Sequence, residues 1–296
     1  MQDLLRTVTL GLGAGALDAM LAFGVVLVYR TTGVLNFAQA ATGAFAAYAA
    51  FAVSQGRPLW LAVMAGLLVG AGLGAGSYAA VGRLQTRNYA LSAAVATLAV
   101  SILIRQLISI FWGTTFGLFP DPFQSSGVSI GQGIIRYSVI AAIATAAFLA
   151  LAIGALLRWT RHGTMIRALA DNPTGAVLCG ANPRRLFIGV WAAGGVLGAI
   201  AGMYVAQSGL SSPSFLDPYL IGALIAAVLG GLRSLTGTFF GAMGLEIARN
   251  LFLYYEPQHF GYDLTPYANT FVMVVLIAIL VFAPRRWLGH GVERRI

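Results

Sequence analysis

Apolar residues fill long runs along this chain, at about 8–29, 33–53, 59–82, 90–112, 136–157, 187–207, 219–232, 237–254 and 269–283. A helix needs about 20 mostly apolar residues to cross the hydrocarbon core of a bilayer, and most of these runs are that long. Two, 219–232 and 237–254, are shorter, and between them lies the break Gly230-Gly231-Leu232-Arg233-Ser234-Leu235-Thr236-Gly237. Lipid offers no partner to an open backbone, so short glycine-interrupted segments are best buried among other helices as half-helices or a re-entrant hairpin. The pattern predicts an all-α, polytopic integral membrane protein of about 8–9 transmembrane or half-membrane helices. It forms a single transmembrane domain over 1–296, with a broken or re-entrant segment at about 219–254.

Glycine sharpens this picture. Gly66, Gly70 and Gly74 recur every fourth position in one run, and Gly194, Gly198 and Gly202 do so in another. On a helix that spacing makes a smooth stripe where backbones can approach closely, which is how helices associate when lipid removes the hydrophobic force between them.

Composition excludes whole classes of function. Only 9% of the 296 residues are charged, against about a quarter in soluble domains. All 18 basic residues are Arg, so a lysine-dependent phosphate loop or Schiff base is ruled out, and any ATP hydrolysis must occur on another chain. The net charge of +9 comes from arginine clusters between apolar runs rather than along one face, which argues for membrane topology and against nucleic acid. Cys179 stands alone and the three histidines are scattered, so neither an intrachain disulfide nor a metal site is expected. Met1–Arg6 leads into the first run without a small-residue cleavage site, and that run reads as a retained span.

Loop charges orient the spans. Arg158, Arg161, Arg167, Arg184 and Arg185 crowd one connection, and Arg285, Arg286, Arg294 and Arg295 crowd the C-terminal tail, so both are expected in the cytoplasm. The connections 113–135, 208–218 and 255–268 lack Arg and carry Asp121, Asp217, Glu256 and Asp263, as expected outside. With 219–254 as a there-and-back unit, the N-terminus is outside and the C-terminus inside; Arg30, Arg83 and Arg87 then fall inside, and Arg6 and Arg57 outside.

Three groups of residues could carry function. Asn36 and Gln39, three apart at the start of a run, would share a helical face, either to hydrogen-bond a neighbouring helix or to line a polar path. Asp18 and Glu246 lie well inside apolar runs, where each needs a partner, a proton or water; Arg30, Arg105 and Arg249 are the candidate partners. Glu246 and Arg249 can also neutralise each other within one helix. The connection at about 158–186 carries Met165, Ile166, Leu169, Ala176, Val177 and Leu178 on two short helical pieces split at Asn172-Pro173, with Gly180 placed to end the second. Such a piece suits docking in a partner's groove or lying on an anionic membrane surface.

These residues also resemble a known family, the membrane permeases of branched-chain amino acid ABC importers, of the LivH/LivM type and closer to LivH. Gly33-Val34-Leu35-Asn36-Phe37-Ala38 is similar to the family's Gly-(Met/Val)-Ile-Asn-Phe-Ala signature. Arg167-Ala168 through Ala176 and Gly180-Ala181-Asn182 resembles its coupling segment. Val228-Leu229-Gly230-Gly231 with Ser234, Gly237 and Gly241 is similar to its glycine run, and Pro284 ends the last span as a family proline does. Gln39 departs from a frequent His, and Arg233 and Thr236 depart from the commoner Gly and Pro. The resemblance implies a subunit that translocates small neutral or branched-chain amino acids. Its partners would be a second homologous permease, two cytoplasmic ATPases holding ATP and Mg, and an extracytoplasmic solute-binding protein. It assigns ATPase coupling to Arg167, Ala168, Asp171, Ala176, Gly180 and Asn182, and the path to Asn36, Phe37 and Gln39. Asp18 and Glu246 remain path candidates on their own chemistry, and Gly230, Gly231, Gly237 and Gly241 serve the helix break and its packing. No catalytic residue, metal or cofactor is expected on this chain.

Overall fold

The computed structural model describes residues 2–82, 90–113, 117–123, 126–130, 133–208, 212–232, 234–259 and 267–282. Arg83, Arg87, Arg233, Asp263, Pro284 and the C-terminal arginines therefore lie outside the described residues. In chain order come α1 (Gln2–Thr32), α2 (Gln39–Ser54), α3 (Leu59–Val81), α4 (Ala90–Trp112), β1 (Gly127–Ile130), β2 (Gly133–Arg136) and α5 (Tyr137–Trp159). The chain continues with α6 (Arg161–Asp171), α7 (Pro173–Leu178), α8 (Pro183–Ala206), α9 (Asp217–Leu229), α10 (Leu235–His259) and α11 (Ala268–Phe282). Each apolar run reads out as a helix, but α1 begins six residues early, α2 six residues late, and α10 extends to His259, so that at 25 residues it is longer than the half-helix expected there, whereas α9 at 13 residues is short. The break between α9 and α10 falls where the glycines are. A two-stranded antiparallel hairpin, with Gly127 opposite Arg136 and Ile130 opposite Gly133, occupies part of the connection before α5 and was not foreseen.

Among the described residues five helices are long and apolar enough to cross a membrane, among them α3, α4 and α5, whose apolar windows are only about a fifth buried. Leu68, Leu91, Ile110, Phe148 and Leu151 are exposed on them, a distribution that a bilayer tolerates and water does not. The central helix is α1, 83% buried over its apolar window, flanked by α8 at 61%. Packing partners run α1 against α10, α8 and α9, and α8 against α3 and α2.

Close approach at glycine determines these pairings. A Cβ at Gly70 would come within 2.6 Å of the Gly195 carbonyl oxygen and 2.9 Å of the Ala199 Cβ, so α3 can lie on α8 only with glycine there. The two glycine stripes do not face one another. The α3 stripe meets Trp191, Gly195 and Ala199, whereas Gly198 and Gly202 on α8 take Gly43 and Gln39 of α2. One helix thus offers two smooth faces about a sixth of a turn apart, which an every-fourth-residue count on either helix alone does not reveal.

Helix starts follow local chemistry. Thr160, Asn172 and Asn182 accept backbone N–H bonds from Gly163, Gly175 and Arg185 at 3.0, 3.1 and 3.2 Å, capping α6, α7 and α8 in turn. Proline stands in the first turn of α7, α8 and α9, where its missing N–H costs nothing.

Candidate functional site

The connection between α1 and α2 is the first site the residues build. Asn36 precedes the helix instead of lying on it: its Oδ1 accepts from the Ala38 N–H at 3.1 Å while its Nδ2 donates to Gln39 Oε1 at 3.3 Å. Gln39 opens α2 and donates through Nε2 to the Gly194 carbonyl of α8 at 2.7 Å. The Phe37 N–H donates to Thr97 Oγ1 of α4 at 3.1 Å. Asn36 and Gln39 are buried and Phe37 half-buried, and none of the three lines either of the cavities described below. Their polar groups are used in joining helices. Thr97 belongs to this junction, and nothing in its own apolar surroundings marked it.

Asp18 and Glu246, far apart in the chain, come together. Both are buried, and their carboxyl groups face the same cavity. Arg249 Nη1 stands 3.4 Å from Glu246 Oε1. Gly222 of α9 makes room for the pair, since a Cβ there would lie 2.7 Å from Asp18 Cγ. Asp18, Glu246, Arg249 and Tyr219 line a cavity of about 540 Å³ whose other wall includes Ile221, Val272 and Met273. A second cavity, of about 580 Å³, adjoins it through Ala14 and Tyr219 and is lined by Arg6, Asp121, Arg136 and Gln207. Of the candidate partners, Arg249 joins the acids. Arg105 instead forms an ion pair with Asp217, tying α4 to the first turn of α9, where a carboxylate also suits the helix dipole. Asp217-Pro218 before an apolar run was a readable helix start; its partner on α4 was not.

The third site is the α6–α7 loop. Ile166 and Leu169 of α6 and Ala176 of α7 are buried against the body of the protein. Arg167 is half-buried, with Nη2 3.4 Å from the Arg158 carbonyl oxygen, and Ala168 and Asp171 are exposed. Gly180 ends the segment at φ 87°, a conformation that favours glycine. Asn182 serves as the cap of α8. Outward-facing apolar positions are Val177, 49% exposed, and Leu178, 84% exposed. Ala176, which carries the resemblance, faces inward, so the surface available to a partner lies on the next two residues. At the break, Gly237 packs on Gly230 and Gly241 on Leu229, closing α9 onto α10.

A charged cleft among membrane-length helices, and a short helical loop between two of them, define a polytopic α-helical membrane protein. The chain belongs to the family described as the permease component of branched-chain amino acid transport systems, which it matches over residues 8–283. It is similar to the probable branched-chain amino acid transport permease protein LivH of Methanocaldococcus jannaschii, 27% identical over 275 residues that cover 90% of this chain and 86% of that protein. The high-affinity branched-chain amino acid transport system permease protein LivH of Escherichia coli K12 is 28% identical, covering 98% of this chain and 96% of its own length. The ribose import permease protein RbsC of the same organism is also 28% identical, over 90% of this chain and 81% of its own.

Proposed function

We propose that this chain is the membrane-spanning subunit of an ATP-binding-cassette importer for small neutral amino acids of the branched-chain type. It pairs with a second, homologous permease. Two cytoplasmic subunits bind ATP and Mg and drive the cycle, and an extracytoplasmic protein delivers the amino acid. The whole chain, 1–296, acts as one permease domain, its N-terminus outside and its C-terminus in the cytoplasm. ATP binding pulls the α6–α7 loop, and that motion alternates access to a path between the two permeases. The energy comes from the different affinities of the ATPases for the two states.

The observation that carries this reading is the loop itself: α6 and α7 are anchored on their inner faces while Leu178 is 84% exposed at the tip. An apolar side chain held out by a fixed helical pair suits insertion into a partner's groove. In the assembled complex, Leu178→Arg is expected to lower ATP-driven leucine uptake about tenfold or more and to release the ATPases on purification, with the permease pair intact. Undiminished uptake would remove the coupling assignment. Cys179, exposed beside it and the sole cysteine, reports the side of the membrane. A membrane-impermeant maleimide is expected to label it in inside-out vesicles and not in intact cells; labelling of intact cells would reverse the topology.

A sugar is the second reading of the cargo, because a ribose permease is as similar in identity as the amino acid permeases are. Ribose uptake by the complex, in place of leucine uptake, would establish it.

A further inference from the structure

The cavity lined by α1, α9, α10, α11 and the connection before α9 is an open cleft: Asp18 and Glu246 are buried at its polar end, while Ile221 and Met273 are exposed at its rim. Its polar wall carries both signs of charge: the buried carboxyl groups of Asp18 and Glu246, and the Arg249 guanidinium 3.4 Å from Glu246. Charges in a membrane interior persist only when compensated, and truncating one partner leaves the other exposed to that cost. The facing wall, Ile221, Val272 and Met273, is apolar. At about 540 Å³ the cavity falls within the roughly 300–1,000 Å³ of small-molecule sites, and it has their usual make-up of an apolar lining with a few convergent polar groups.

We propose that this cavity is a subsite for a zwitterionic α-amino acid with an apolar side chain. The ammonium group faces the Asp18–Glu246 pair, the carboxylate faces Arg249, and the side chain rests against Ile221, Val272 and Met273. Tyr219, at the seam with the second cavity, offers its hydroxyl to either charged end. The ligand's two charges replace the contact that Glu246 and Arg249 make at 3.4 Å, so buried Glu246 and half-buried Arg249 each exchange one opposite charge for another. An uncharged sugar can hydrogen-bond these groups through its hydroxyls but brings no opposite charge to either, so it gains less from the site than a zwitterion does. The proposal rests on the reading of the chain as an amino acid permease and locates a selective element within the permease itself.

The test uses the full complex in nanodiscs without the solute-binding protein, with radiolabelled L-leucine as the probe. Binding is expected to be displaced by L-valine. It should be displaced about tenfold more weakly by 3-methylbutylamine and by 4-methylpentanoate, which each keep one charge, and not at all by D-ribose. Glu246→Gln and Arg249→Gln should each weaken leucine binding about tenfold or more at unchanged complex yield. Should the charge variants fail to assemble, Met273→Trp narrows the apolar wall and should weaken leucine more than alanine. Leucine binding unchanged in every assembled variant, or single-charge analogues that compete as well as valine, would overturn the subsite. Leucine import by the wild-type complex, together with equally tight leucine binding in the assembled variants, overturns the subsite alone. A complete wild-type importer that moves no amino acid overturns the functional reading beneath it as well.

Discussion

The chain interrupts its helices twice in similar ways, at 33–38 between α1 and α2 and at 230–234 between α9 and α10, yet the two breaks are held by different forces. Gly33 ends α1 at φ 73°, its N–H returning to the Tyr29 carbonyl at 2.7 Å. Beyond it the chain is tied outward, to Thr97 of α4 through Phe37 and to Gly194 of α8 through Gln39. The second break is tied to itself. Leu232 N–H bonds to the Ala227 carbonyl at 2.7 Å and Gly231 N–H to Val228 at 2.8 Å, the paired bonds of a Schellman helix end. Ser234 Oγ accepts from the Gly237 N–H at 3.0 Å, and Thr238 Oγ1 donates to the Ser234 carbonyl at 2.8 Å. Leu232 sits at φ 59° in a region that a side chain with a Cβ occupies at a cost of about 1–2 kcal/mol. A break whose amides reach other helices is a fixed junction of the bundle. One closed by its own backbone sets only the local turn, and its orientation follows from glycine packing between α9 and α10.

That contrast can be broken by substitution. The largest effect is expected from Gly24→Leu on α1, because even a Cβ at Gly24 overlaps the Gln39 side chain and displaces the amide that reaches α8. Overpacking combined with a lost buried hydrogen bond should cost more than about 3 kcal/mol, seen as a collapse in purified yield and thermal midpoint. Gln39→Leu keeps the volume and removes only the amide, which should cost about 1–2 kcal/mol in thermal unfolding. Ser234→Ala at the second break removes a single cap to α10 and should cost about 1 kcal/mol or less. If Ser234→Ala lost more than Gln39→Leu, the break between α9 and α10 would be the firmer junction and the distinction would be reversed.

The same contrast shows what was legible. Spans, breaks and the loop at 158–186 were readable because run length, glycine and proline act within a few residues of themselves. Gly180 and Asn182 were readable as helix punctuation for the same reason. Asn36 and Gln39 were recognised as polar residues needing partners, but the Gly194 carbonyl that satisfies Gln39 sits on α8, where every residue has an equivalent carbonyl. The Asp18–Glu246 contact was unreadable in the same way: each acid was visibly costly, while Arg249, three residues from Glu246, offered a sufficient local answer. Ala176 was matched by resemblance, and only its burial revealed that Val177 and Leu178 take the outer face.

The sequence by itself determined the solvent and the elements, because transfer of apolar side chains into lipid and satisfaction of backbone hydrogen bonds depend on short stretches of chain. It also determined that this chain carries no lysine chemistry, which follows from composition alone. Tertiary structure decided which glycine face meets which helix, which acid meets which base, and that α1, α9, α10 and α11 line a cavity bearing both charges. Those outcomes depend on helix rotation and crossing. In lipid they are governed by close packing among many nearly equivalent small-residue faces, and no single face carries enough information to name its partner.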